Sequence, residues 1–116
     1  MQMSVEKLPD AVTRVVLSGQ LDIAGAAQVE LPFSTVTAKN ERVVIDVAEV
    51  DYVASIGLRL LVGAARTVSR RGGKLVLCNV SPSVSRVLEI SGLVALLPSF
   101  PTLGEAVAAV TADAPA

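Results

Sequence analysis

Apolar positions along this chain follow two alternating rhythms. Val43-Val44-Ile45-Asp46-Val47 is a β-branched run broken only by Asp46, the pattern of a strand covered on both faces. Beyond Tyr52 and Val53, apolar residues recur at Leu58, Leu61, Val62, Ala65 and Val68, the spacing of one helical face. This predicts a helix from Ser55 to about Arg71. Gly72-Gly73 ends it, one of the pair taking the left-handed conformation that glycine tolerates. The stretch from Arg42 to Val62 thus reads as a buried strand, a short exposed link and a helix start, and the rest of the chain is organised around it.

The same reading extends in both directions. Residues 2–8 alternate weakly, Met3 and Val5 against Ser4 and Glu6, and predict an edge strand. Pro9-Asp10 is a turn, and Thr13 to Leu17 predicts a second strand ended by Ser18-Gly19. So short a connection makes the pair an antiparallel hairpin. Asp22 is the expected N-cap of a helix from about Ile23 to Ala38, which Pro32 should kink or split in two. Asp46, Glu49 and Asp51 read as solvated or capping groups. Lys74 to Val80 predicts a further strand. Ser81-Pro82-Ser83 opens a short helix with Pro82 at its first position, its buried side formed by Val84, Val87, Leu88 and Leu93, and Gly92 at its end.

Leu96 to Phe100 predicts a short last strand. Thr102 and Glu105 form a capping box for a final helix whose apolar side is Ala106, Val107 and Val110, and residues 111–116 are expected to fray. The order β-β-α-β-α-β-α-β-α predicts an α/β fold, a mixed but mostly parallel sheet packed with helices through right-handed crossovers. A single domain over residues 1–116, with its core from about 3 to 110, is the expectation from length.

Composition removes several function classes. With 52% hydrophobic and 18% charged residues, the chain builds a core and leaves apolar surface for a partner. A net charge of -1 gives no field to recruit nucleic acid or an anionic membrane, and with no Trp there is no stacking platform for single strands. No apolar run approaches the ~18 residues that span a bilayer, and the first residues lack a signal-peptide core, so a cytoplasmic protein is expected. Cys78 continues the run Leu75-Val76-Leu77 and is expected to be a buried free thiol.

Histidine is absent, which removes the usual general base, the Ser-His-Asp arrangement and most metal sites. Neither GxxxxGK[ST] nor GxGxxG occurs. No catalytic residue, metal ligand or cofactor is therefore expected, and the chain does not read as an enzyme.

What remains is Ser55. At a helix start its hydroxyl can cap a backbone N–H, or it can carry an anion such as a phosphate at the positive end of the helix. The residue type leaves both open. Arg59, Arg66 and Arg70 share a face away from the apolar stripe and read as a solvated basic face. Arg66, Arg70 and Arg71 also complement the negative helix end. Arg59, one turn past Ser55, is within reach of a phosphate or an acidic partner. A small-ligand binder or an enzyme using a cleft near Asp22 and Ser55 is a further reading.

The pattern DVAEVDYVASIGLRLLVGA resembles the signature of the STAS domain, the fold of bacterial anti-sigma factor antagonists. In that family a strand ends in Asp, a few residues intervene, and a serine stands two places before a glycine that opens a helix. Gly19-Gln20-Leu21-Asp22 resembles the family's Gly-Glu-Leu-Asp step, and Arg71-Gly72-Gly73-Lys74-Leu75 its helix-to-strand turn. Ser81-Pro82 and Ser91-Gly92-Leu93 resemble its later helix.

The resemblance implies partner switching. The unphosphorylated antagonist binds an anti-sigma factor that is also a serine kinase of the histidine-kinase-like ATPase type, and so releases a sigma factor or another target. Phosphorylation ends binding, and a serine phosphatase restores it. By motif position Ser55 is the phosphoacceptor, with Asp22, Ala54, Ser55, Ile56, Gly57, Leu58 and Arg59 as the partner-binding patch. Two positions depart from the family pattern: Ala54 stands where many members have Asp, and Ile56 where many have a second Ser or Thr. Ala54 keeps a rival in view, a STAS module that takes no phosphate and serves as an interaction subunit of a transporter ATPase or a larger regulatory complex.

Overall fold

The computed structural model describes residues 1–112. Five strands, β1 (Gln2–Leu8), β2 (Val12–Leu21), β3 (Arg42–Val53), β4 (Lys74–Cys78) and β5 (Ser99–Phe100), lie side by side in chain order. β1 is antiparallel to β2, and every later pairing is parallel. Helices α1 (Ile23–Lys39), α2 (Ser55–Arg70) and α3 (Pro82–Ile90) cover one face, and α4 (Leu103–Thr111) the other. The predicted element order and the mixed, mostly parallel sheet are both present.

The two faces follow from strand periodicity. Val43, Ile45 and Val47 point into the larger core with Val15, Leu17, Leu75 and Leu77, under Val29 and Phe33 of α1 and Leu61 and Val68 of α2. Val44 alternates to the other side, where it meets Val12, Val76 and Cys78 beneath Ala106 and Val110. Both faces of β3 are therefore filled, which is why its sequence is a continuous apolar run rather than an alternating one.

Several boundaries differ from the expectation. β2 does not stop at Ser18-Gly19 but continues to Leu21, absorbing two register shifts against β3 on the way. β3 likewise runs to Val53, so Glu49, Asp51 and Tyr52 belong to a strand and not to a link. β4 ends at Cys78, short of Val80, and β5 is only Ser99–Phe100. Pro32 does not split α1, because Val29, Phe33 and Thr37 are buried around it and packing holds the helix together. Of the fraying expected at 111–116, Thr111 still belongs to α4 and Ala112 caps it. Residues 113–116 lie outside the described residues.

Arg71 complements a helix end, but not the one expected. Its guanidinium donates to the carbonyls of Thr37, Ala38 and Asn40 at 2.9, 2.6 and 2.8 Å, so it closes the C-terminus of α1 from the end of α2. Gly72, at φ 79, turns the chain immediately afterwards. The two helices are thereby pinned side by side at one end, and their other ends flank Ser55.

Candidate functional site

Ser55 sits where β3 hands over to α2. Leu21 pairs with Val53 across the sheet, and the next N–H, that of Ala54, donates to the Leu21 carbonyl at 2.9 Å. The start of α2 therefore rests on the end of β2, beside the start of α1. Gly57 makes this approach possible. A Cβ placed there would lie 2.6 Å from Leu21 Cγ and 2.7 Å from its carbonyl oxygen. A glycine two residues after the serine thus has a steric cause.

Ser55 is not the N-cap. That position belongs to Ala54, in extended conformation at φ -86 and ψ 170, which offers no side-chain hydrogen bond and whose carbonyl accepts from Leu58 N–H at 3.0 Å. Ser55 is instead the first helical residue. It is exposed, and its hydroxyl has no hydrogen-bond partner among the described residues. Of the two readings left open by residue type, the cap is thereby removed. The free N–H groups of the first turn and the positive end of the helix dipole lie at this hydroxyl.

The expected patch divides in two. Ile56, 41% exposed, and Arg59 face solvent beside Ser55, with Ala54 half-buried. Gly57 and Leu58 turn inward, the first against Leu21 and the second into the core, so they support the surface without presenting it. The Asp22 carboxylate is engaged as the cap of α1, accepting from Gly25 N–H at 2.8 Å, as its sequence position predicts.

Two features of this corner escape a reading by motif. Tyr52, half exposed on the extension of β3, stands three residues before Ser55. An aromatic at the exposed end of a strand is the signal that could have marked it. The second is an open groove of about 660 Å³ between α1 and α2, with Ile23 and Glu30 on one wall and Ile56, Arg59 and Leu60 on the other. Ser83 ties α3 into the same region, its hydroxyl donating to the Asp51 carbonyl at 3.2 Å.

Of the three carboxylates expected to be solvated or capping, Glu49 and Asp51 are exposed, but Asp46 is not solvated. It is 2% exposed and accepts from Arg14 Nη2 at 2.6 Å, from Ala48 N–H at 3.1 Å and from Asn79 Nδ2 at 3.2 Å. Burial pushes its pKa up, but the bonds from Arg14, Ala48 and Asn79 outweigh burial and hold the carboxyl below its ordinary range. Arg14 also reaches Glu6 at 2.9 Å, so one guanidinium joins β1, β2 and β3. Every hydrogen-bonding direction of Asp46 is taken up by structure, which makes it a strut and not a reactive group. Cys78 is fully buried, and burial together with the nearby Asp46 charge raises its pKa to about 11. Among the described residues no cluster of three metal-ligating side chains occurs, and no helix is long and apolar enough to cross a membrane.

Comparison with known proteins places this geometry in a family. Residues 2–106 match the STAS domain. The chain is 35% identical over 99 residues to BtrV of Bordetella bronchiseptica, a proposed anti-sigma factor antagonist, covering 84% of each protein. It is 34% identical over 80 residues to the anti-sigma-B factor antagonist of Listeria monocytogenes, covering 68% of this chain and 70% of that one. The crystal structure of an anti-sigma factor antagonist from Mycobacterium paratuberculosis superposes with a TM-score of 0.84 at 29% identity, over 94% of this chain and 92% of the other. The chain belongs to the STAS domain family, among the anti-sigma factor antagonists.

Proposed function

We propose that the chain works as a partner switch: unmodified, it captures an anti-sigma factor that is also a serine kinase of the histidine-kinase-like ATPase type. Capture frees that factor's target. The kinase transfers the γ-phosphoryl group of ATP to Ser55 Oγ, the hydroxyl proton leaves to a base on the kinase, and the complex parts. A serine phosphatase returns the chain to its binding form. One observation carries this reading: a solvent-facing serine hydroxyl without an internal partner at the first position of a helix, beside exposed Ile56.

The energetics favour a switch that needs no change of fold. A phosphate brings about -1.5 to -2 charges to a helix end that carries roughly +0.5, a local gain of ~0.3–2 kcal/mol. The same dianion pressed against an apolar contact surface loses its water without compensation. A penalty of about 4 kcal/mol weakens binding roughly a thousandfold. Ala54 removes the carboxylate that would flank the acceptor, and this favours a second reading, a STAS subunit that binds its partner permanently and takes no phosphate. Incubation with the cognate kinase and ATP followed by intact-mass measurement separates the two. Addition of one phosphate, lost in Ser55→Ala, supports the switch, and an unchanged mass supports the fixed subunit.

A further inference from the structure

Helix α1 carries large apolar residues on its exposed side as well as its buried one, among Gln28, Glu30, Ser34 and Thr35. Ala26, Val29 and Phe33 enter the core, yet Ile23 and Leu31 stand 74% and 77% exposed on the solvent side. Across the 660 Å³ groove, α2 presents Ile56 and Leu60. Each wall also carries one charge, Glu30 from α1 and Arg59 from α2. Neither has an ion-pair or hydrogen-bond partner among the described residues.

We propose that this face is covered by a second copy of the chain. An apolar groove with an acid on one wall and a base on the other is self-complementary. A two-fold rotation sets Arg59 of each copy against Glu30 of the other, while Ile23, Ile56 and Leu60 close over one another. A small apolar anion in the groove answers Arg59 but leaves Glu30 against its hydrocarbon body, so it fits less well. The size suits a weak pairing. Two helices of 17 and 16 residues side by side present a face about 24 Å by about 20 Å, roughly 480 Å² from each copy, which is the size of a weak, transient interface. Resting on the reading of Ser55 above, the pairing also has a regulatory effect. Ile56 and Arg59 flank Ser55, so self-association and the kinase compete for one corner of the molecule.

Sedimentation velocity on the full chain, without kinase or ATP, tests the pairing. The wild type is expected to dimerise. Glu30→Arg and Arg59→Glu should each weaken the dimer at least about tenfold, because each reversal turns two symmetric attractions into repulsions. An equimolar mixture of the two variants should restore it, since one supplies two cations where the other supplies two anions. Ile23→Glu, on the exposed wall, should weaken it as well. A wild type that stays monomeric up to about 1 mM, a dimer indifferent to both reversals, or a mixture that does not recover overturns the proposal. A dimer that behaves as described, in a chain that the kinase leaves unphosphorylated, leaves the pairing standing and removes the Ser55 reading instead.

Discussion

Gly57 lies over Leu21 with no room for a side chain between them, and on that contact depends where Ser55 stands. The Ala54 N–H bond to the Leu21 carbonyl, 2.9 Å long, locks the same junction from the backbone side. Gly57→Ala should therefore push the start of α2 away from β2. The expected cost is about 1–3 kcal/mol in urea or guanidinium unfolding, with weaker capture of the partner than the lost stability explains. Full stability in that variant would show that the junction yields without strain.

Acid should loosen the molecule through Asp46. Its carboxyl titrates lower in the folded chain than the ordinary 3.8, so the stability it contributes is complete above that value. That contribution drains away as the pH falls below 3.8 toward the lowered folded-state pKa. Asp46→Asn should flatten this acid limb. It should also cost about 2–3 kcal/mol near neutrality, because Arg14 keeps a partly buried charge with only Glu6 to answer it. Unfolding midpoints at a series of pH values check both effects.

The Cys78 thiol should be silent in the folded state. It is fully buried with a pKa of about 11, so at neutral pH it is neither ionised nor reachable. A colourimetric thiol reagent is expected to react only at the rate of opening, and to speed up across the denaturation transition. Immediate labelling of the native protein would mean that the face beneath α4 opens readily.

Arg71→Ala should detach α1 from α2 at the end remote from Ser55. Three carbonyl bonds are lost, and about 1–2 kcal/mol of stability with them. Arg71→Lys should recover only part of this, since an ammonium cannot span three carbonyls as a guanidinium fork does. Thermal unfolding of the two variants side by side gives the comparison.

The sequence carried the architecture because its local signals agree with the tertiary fold. The runs at Val43 to Val47 and Leu75 to Leu77, the caps Asp22, Ser81 and Thr102, and Gly72 after α2 each name one element or boundary, and each stands where its chemistry demands. The failures are non-local. β2 and β3 outrun their apolar cores because each lends the other a ladder to continue on, and no residue type announces that. Asp46 looks solvated until Arg14 arrives from another strand and Asn79 from a later loop. Pro32 marks a break that Phe33 and its neighbours override.

At the site, Ser55 and Gly57 were legible by motif, but the cap that the Ser55 hydroxyl could have supplied falls one residue earlier, on Ala54, which caps through its backbone alone. The groove was not legible at all. It is made by the side-by-side placement of two helices whose exposed apolar residues, read one at a time, look like ordinary surface.

The central claim is that a phosphate on Ser55 dismisses the partner while leaving the fold intact. Titration calorimetry of the cognate anti-sigma factor with the unmodified and the singly phosphorylated chain tests it most directly. Affinity should be lower by roughly a thousandfold for the phosphorylated chain, with unchanged far-ultraviolet circular dichroism. Equal affinity of the two forms would contradict it.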